Sequence, residues 1–265
     1  MPAVISPNGA AHGAGENPAA MLGSPGWTQL TGSSSKSARL GNVIRRAAVK
    51  LSVNCRLRRG QLFVERLRPT ADDRILDLGG GRGGYMAQTL PFRGNVTIAD
   101  LDPGNLKMAA ENYGFDTLCV DGSEKFAVAD KAYDIVFCSS VIEHVTGPKE
   151  IVYDLARAGE FTASAKAAQA NFAAEVRRIA KRYFVQTPYK YFPLEQHSFL
   201  PFLVVLLPRR WHMRLMKFLA TRWFKPSQPD FRLLTIKEMR ALFPDAEIVL
   251  ERYCGFVKSI VAIKG

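Results

Sequence analysis

The stretch Arg74-Ile75-Leu76-Asp77-Leu78-Gly79-Gly80-Gly81-Arg82-Gly83-Gly84-Tyr85 constrains this chain more than any other. Ile75, Leu76 and Leu78 suit a strand covered on both faces, and the glycines behind them allow positive φ and close approach of backbone to a ligand. A helix is expected to start near Gly84. Strand, glycine turn and helix in that order, with open N–H groups at the junction, make a site for a nucleotide-like ligand at the C-terminal edge of a parallel sheet. Two ligands compete for it. The spacing Gly79-x-Gly81-x-x-Gly84 satisfies the dinucleotide fingerprint and points to NAD. Asp77, however, puts a carboxylate two residues before the first glycine, where it repels a pyrophosphate and attracts an ammonium group. A cationic amino-acid ligand suits that charge better, and a purely structural turn is the third reading.

At 265 residues the chain is long enough for one large α/β domain with appendages. Its formal net charge of +12 favours anionic partners, namely an acidic membrane surface, a phosphate-bearing substrate or nucleic acid, without choosing among them. Residues 1–36, rich in Gly, Ala, Ser and Pro, are expected to be a disordered leader. Residues 37–69 form a basic helical segment in which Arg45, Arg46, Lys50, Arg56, Arg58, Arg59, Arg66 and Arg68 face one acid, Glu65. Leu40, Val43, Ile44, Ala47 and Leu51 recur at helical spacing, so this helix either packs on the core or meets anionic lipid or phosphate. A second helical piece carrying Leu62, Phe63 and Leu67 ends at Pro69. Cys55, Cys119, Cys138 and Cys254 show no C-x-x-C spacing, and Cys119 and Cys138 fall in expected core strands, which reads as buried reduced thiols. No signal-peptide pattern and no apolar run of roughly 18–20 residues is visible, so a cytoplasmic protein is expected.

Acids recur at strand ends. Asn95 to Asp100 reads as a second strand with Asp100 at its C-terminal end, where a carboxylate can accept both hydroxyls of a ribose. Asp102 suits the N-cap of the following helix. Phe115 to Val120 reads as a third strand, followed by Asp121-Gly122, either a plain turn or part of the ligand site. Three acids at three successive strand ends favour the ligand role. Tyr133 to Phe137 is a fourth, buried strand leading into Ser139-Ser140-Val141-Ile142-Glu143-His144-Val145.

Ile75 to Gly83 resembles motif I of the class I S-adenosylmethionine (SAM) dependent methyltransferases. Asp100-Leu101-Asp102-Pro103 resembles their second motif, and Glu143-His144-Val145 resembles their "EHV" signature. The resemblance covers roughly residues 60–263. It implies an α/β, Rossmann-like class I methyltransferase fold over residues 70–265, with a mostly parallel seven-stranded sheet and a C-terminal antiparallel hairpin. The runs Glu247 to Cys254 and Phe256 to Ile263, hinged at Gly255, correspond to that hairpin. It also implies SAM as cofactor: Asp77, Gly79, Gly80 and Gly81 around its amino-acid part, Asp100 on the ribose, Leu101 against the adenine, Asp121 and Gly122 at the adenine edge, and Ser139 in the loop over the cofactor. The EHV type is common among enzymes that methylate oxygen or carbon on small molecules and glycans. The Asn-Pro-Pro-Tyr turn of many base N-methyltransferases is absent.

Glu143 and His144 are candidates for a general base, and the alternative for each is a structural role. Residues 147–182 read as helix, with an alanine-rich piece from Phe161 to Ala170 expected as an insertion or lid. A fifth strand runs from Tyr183 to Gln186. The following Tyr189 to His197 resembles a "TPN-x-x-FP-x-E-x-H" stretch of bacterial class I methyltransferases, with Tyr189 in place of the asparagine. His197 is there a substrate-side acid or base, or a turn-fixing group. Glu143, His144 and His197 also resemble the metal ligands of small-RNA 3′-end methyltransferases, but Ser140 stands where that family has a further glutamate, so no metal is expected. An apolar run, 199–208, and a basic, tryptophan-containing run, 209–225, form an expected cap at about 189–230, packed over the site or lying in a membrane interface. The expected activity is methyl transfer to an oxygen of a small molecule, glycan or lipid-linked sugar, with peripheral contact to the inner face of an anionic membrane. The rivals are a non-catalytic basic membrane-surface or RNA-binding protein on the same fold, an RNA 2′-O-methyltransferase and an NAD-dependent oxidoreductase.

Overall fold

A computed structural model describes residues 53–122, 125–147, 158–193 and 230–265, with a few isolated positions between 207 and 215. The expected leader, the helix seeded by Leu40 to Leu51, Glu195, His197 and most of the 189–230 cap lie outside those residues.

The described residues build one sheet of seven strands. Residues 53–67 form helix α1. Then follow β1 (Ile75–Leu78), α2 (Gly84–Thr89), β2 (Val96–Asp100), α3 (Pro103–Tyr113), β3 (Asp116–Cys119), β4 (Tyr133–Ser139), a 3₁₀ turn at Ile142–His144, α4 (Ala158–Ile179), β5 (Ala180–Pro188), α5 (Ile236–Leu242), β6 (Glu247–Tyr253) and β7 (Phe256–Lys264). The strand order is β3-β2-β1-β4-β5-β7-β6. The first five strands are parallel, while β7 lies antiparallel between β5 and β6. From β1 the chain moves outward to β2 and β3, then returns to place β4 on the other side of β1. That reversal opens a crevice at the C-terminal ends of β1 and β4, where ligands of open α/β sheets bind.

The pleat sorts side chains to the two faces. Leu76, Leu78, Val136, Cys138, Tyr183 and Val185 pack against Phe172, Val176 and Ile179 of α4 and against Met239 and Phe243 at α5. Ile75, Ile98, Phe137, Phe184 and Val261 pack on the opposite side against Phe63 and Leu67 of α1, Met86 of α2 and Leu106 of α3. Phe63 meets Phe137 edge-on at 4.9 Å and Phe184 at 5.7 Å. Helix α1 is therefore part of the core. Local signals start α3 and α5: Asp102 accepts from the Gly104 N–H (2.8 Å) ahead of Pro103, and Thr235 and Glu238 form a reciprocal capping box.

Three expectations need correction. The fifth strand begins at Ala180, so Lys181 and Arg182 are strand residues, and Tyr133↔Ala180 pairing fixes that start. The alanine-rich piece from Phe161 to Ala170 is no separate insertion or lid. It continues the α4 helix, with Phe161 and Ala165 buried. Of the cysteines expected to be buried, Cys119 is exposed on the edge strand β3 and Cys254 in the turn between β6 and β7.

Candidate cofactor and acceptor site

The turn after β1 is tied to the end of β2. The N–H groups of Gly79 and Gly80 donate to the Ala99 carbonyl (2.8 and 3.2 Å), and the Gly81 N–H donates to Asp100 Oδ2 (3.0 Å). The N–H groups expected to lie open are thus engaged at three successive positions. Gly79 is required by shape: at φ +78°, a Cβ there would fall 2.3 Å from Cγ2 of Val141. A Cβ on Gly80 would fall 2.5 Å from Asp77 Oδ2, whereas one on Gly81 would meet nothing within 4 Å. The backbone is therefore pressed against the Asp77 carboxylate on one side and open on the other.

Asp77 shares a face with Ile75, Ile98 and Phe137 yet is only 3% exposed. Its Oδ2 is buried without a hydrogen-bond partner. Burial first, and the neighbouring Asp100 second, push its carboxyl up to about 7. Two carboxylates beside a turn whose Gly79, Gly80 and Gly81 N–H groups are already committed disfavour a pyrophosphate. A cation suits both carboxylates, so the residues present fit a ligand with an ammonium group at Asp77. Asp100 Oδ1 accepts from the Asp102 N–H (2.9 Å) and from Asn105 Nδ2 (3.3 Å). With Gly81 on its other oxygen, one of about four acceptor positions remains for a sugar hydroxyl. Leu101 is 63% exposed at the strand end, an apolar plate beside Gly122, whose Cβ would lie 3.6 Å from Leu101 Cδ2. Asp121 and Gly122 are exposed just past β3. Ammonium, ribose and base can thus be met in sequence across the ends of β1, β2 and β3.

Ser139, expected in the loop over the cofactor, is the last residue of β4 and takes part in a hydrogen-bond network. It accepts from Arg59 Nη1 (2.8 Å) and donates to Gln186 Oε1 (3.0 Å). Glu143 is fully buried on the 3₁₀ turn, with the Thr187 hydroxyl donating to its Oε2 (3.0 Å). Gln169 Nε2 fixes the same turn by donating to the carbonyls of Ile142 and Arg232 (3.0 Å each). Neighbouring His144 is exposed at the rim. Its Nδ1 lies 3.5 Å from Asp230 Oδ1, and its ring meets Phe231 edge-on at 6.3 Å. The structure thus brings Asp77, Asp100 and the glycine turn together and separates Glu143, in the core, from His144, at the rim.

Sequence reasoning missed Arg59, Gln186, Glu251 and Asp230. Arg59 carried a usable signal: Cys55, Arg59 and Phe63 fall at i, i+4 and i+8 on the buried stripe of α1, and a cation in such a stripe needs a partner.

Residues 76–160 match a family model described as a methyltransferase domain. The ubiquinone biosynthesis O-methyltransferase of Chromobacterium violaceum is 33% identical over 96 residues, covering 34% of this chain and 41% of that protein. The enzyme of the same name from Rickettsia prowazekii is 31% identical over 103 residues, covering 36% of this chain and 40% of that protein. The chain therefore matches less than half the length of these curated relatives. Among solved structures, a possible exported protein from Bordetella parapertussis superposes with TM-score 0.51 at 14% identity, covering 92% of this chain and 76% of that one, a likeness of fold alone. These matches show that residues 76–160 are similar to a methyltransferase domain, on a seven-stranded sheet with the switch-point crevice and antiparallel β7 described above.

Proposed function

We propose that this chain transfers a methyl group from SAM to an oxygen of a small-molecule acceptor, which includes a glycan or a lipid-linked sugar. The observation that carries the reading is the buried Asp77 carboxylate, with an unpartnered oxygen, beside Asp100 at the switch point. The names of the two relatives support oxygen as the acceptor atom. Bound there, SAM supplies an electrophilic methyl group for in-line displacement, and the protein's task is orientation and proton removal.

Asp77 binds the ammonium group and Asp100 a ribose hydroxyl, while Leu101 with Asp121 and Gly122 flanks the adenine. Gly79, Gly80 and Gly81 let the backbone approach the ligand. His144 is the proton acceptor: Asp230 at Nδ1 orients the ring and leaves Nε2 for the acceptor hydroxyl. Glu143 acts through the fold, holding the 3₁₀ turn that carries His144. His197 stays a second proton-transfer candidate on the acceptor side. Peripheral contact with anionic lipid is supported by exposed Leu57, Val64 and Trp211 in a chain of net charge +12. No helix among the described residues is long and apolar enough to cross a membrane.

The test is transfer of a labelled methyl group from SAM to a panel of hydroxylated compounds, with His144→Gln beside the wild type. The variant is expected to keep its affinity for S-adenosylhomocysteine (SAH) while kcat falls by roughly 10²–10⁴. Unchanged kcat removes His144 from the proton path, and label on nitrogen or carbon acceptors alone refutes oxygen transfer.

A further inference from the structure

The β6–β7 hairpin runs past the sheet's C-terminal edge, the edge at which Asp77 and Asp100 stand. β5 ends at Pro188, opposite Ser259, while antiparallel β7 begins earlier, at Phe256. Tyr253 pairs directly with Phe256, so Cys254 and Gly255 alone make the turn. Both have positive φ, +48° and +81°, as a tight type I′ hairpin turn requires. Directly paired residues point to one face of a hairpin, so the two rings are held side by side at its tip. Phe256 is 58% exposed and Tyr253 38%. Among the described residues, neither ring joins the core on either face of the sheet.

The turn after β5 adds a third ring. The Tyr189 N–H donates to the Lys258 carbonyl (2.9 Å), which ties this turn to the hairpin, and the Phe192 N–H donates to the Tyr189 carbonyl (3.2 Å). Tyr191, between them, is exposed and meets Tyr189 edge-on at 5.6 Å. Charge on these two segments has one sign. Lys190 Nζ lies 5.6 Å from the centre of the Tyr191 ring, and Arg252 Nη1 donates to the Gly255 carbonyl (3.1 Å), so neither contact neutralises its cation. No Asp or Glu occurs from 181 to 193 or from 252 to 265. Glu251, next to Arg252, is bound by Arg59 through Nε and Nη2 (3.3 and 3.1 Å). Exposed aromatic rings flanked by cations suit the interface of an anionic bilayer, where rings settle at headgroup level and cations meet lipid phosphates.

We propose that the tip of the β6–β7 hairpin and the turn after β5 form a docking surface for an anionic lipid bilayer, with Phe256, Tyr253 and Tyr191 entering the interface and Arg252 and Lys190 on the headgroups. Docked in this way, the C-terminal edge of the sheet faces the lipid, and an amphiphilic acceptor reaches the crevice from the bilayer. The acceptor step rests on the methyltransferase reading above, whereas the docking does not.

The chain carries its own reporter positions. Cys254 is exposed in the hairpin turn, and Cys119 is exposed on β3, at the far end of the strand order from β6. An environment-sensitive thiol probe is attached to full-length Cys119→Ser and to full-length Cys254→Ser, and both are titrated with phosphatidylcholine vesicles with and without phosphatidylglycerol. The Cys254 probe is expected to shift to the blue on the anionic vesicles alone, and the Cys119 probe to stay unchanged; Cys55 and Cys138 are common to both proteins. In flotation assays of unlabelled chain, Phe256→Ser is expected to weaken binding to anionic vesicles by roughly tenfold or more and Arg252→Gln by roughly fivefold, with SAH affinity kept within about twofold. Thermal melts identify any variant that fails to fold, and either variant alone decides the outcome. Absence of binding to anionic vesicles, equal binding by wild type and folded variants, or a Cys254 probe that stays in water while the vesicles bind overturns the docking surface. Binding of an RNA oligonucleotide, weakened by Phe256→Ser, in a chain that ignores the vesicles overturns it in favour of nucleic acid. If the wild type binds vesicles through the hairpin but does not bind SAH, the docking surface stands and the methyltransferase reading falls.

Discussion

Asp77→Asn keeps the size of the side chain and removes the charge that the cofactor is meant to neutralise. In the ligand-free protein, burial and Asp100 raise the Asp77 carboxyl to about 7, against about 3.9 in an unfolded chain. The folded state therefore holds this proton more tightly than the unfolded state. The associated stability is fully present below the unfolded value and is lost as pH rises through about 7. A difference of about three pH units, at about 1.4 kcal/mol each, sets the penalty for the ionised carboxylate at up to about 4 kcal/mol above pH 7. Asp77→Asn is thus expected to stabilise the free protein by up to about 4 kcal/mol at about pH 8 and to change it little at about pH 4. The same variant should lose SAH. In the wild type, SAH binding at about pH 6 should release close to one proton, because the ammonium group favours the ionised carboxylate. Urea unfolding across pH, with calorimetry in buffers of different ionisation enthalpy, measures both effects. An asparagine variant less stable than wild type at pH 8, or one shifted equally at both pH values, refutes the reasoning.

Gly79→Ala is expected to lower stability by about 1–3 kcal/mol and to weaken SAH, because the new methyl meets Val141 at 2.3 Å with φ at +78°. Gly81→Ala, with open space around its Cβ at φ +57°, is expected to lose only about 1 kcal/mol; urea titrations rank the two. Phe63→Ala should cost about 3–5 kcal/mol in one cooperative transition, since the ring is fully buried against Phe137 and Phe184. A separate early transition would show that α1 is not part of the core.

The parts of the site legible in the sequence are those whose chemistry is local. Asp77 and the glycines sit within a few residues of one another, so a strand, a turn and a charge could be read from consecutive letters. Asp100 was legible because a strand end is marked by Leu101-Asp102-Pro103, a helix start. The helical spacing of Arg59 marks it as a cation in need of a partner but does not say which, because Glu251 lies 192 positions away and only the sheet order brings them together. Gln186 was hidden inside a strand that reads as apolar. Cys119 looked like a core residue because the alternation of β3 says nothing about whether another strand covers it.

The central claim is that the acidic glycine turn binds a cationic, adenosine-bearing cofactor. Its most direct test is calorimetric titration of the purified protein with SAH and with NAD, for the wild type and Asp100→Ala. The account predicts saturable SAH binding, no NAD binding, and loss of SAH in the variant. Binding of NAD in preference to SAH, or SAH affinity unchanged by Asp100→Ala, would contradict it.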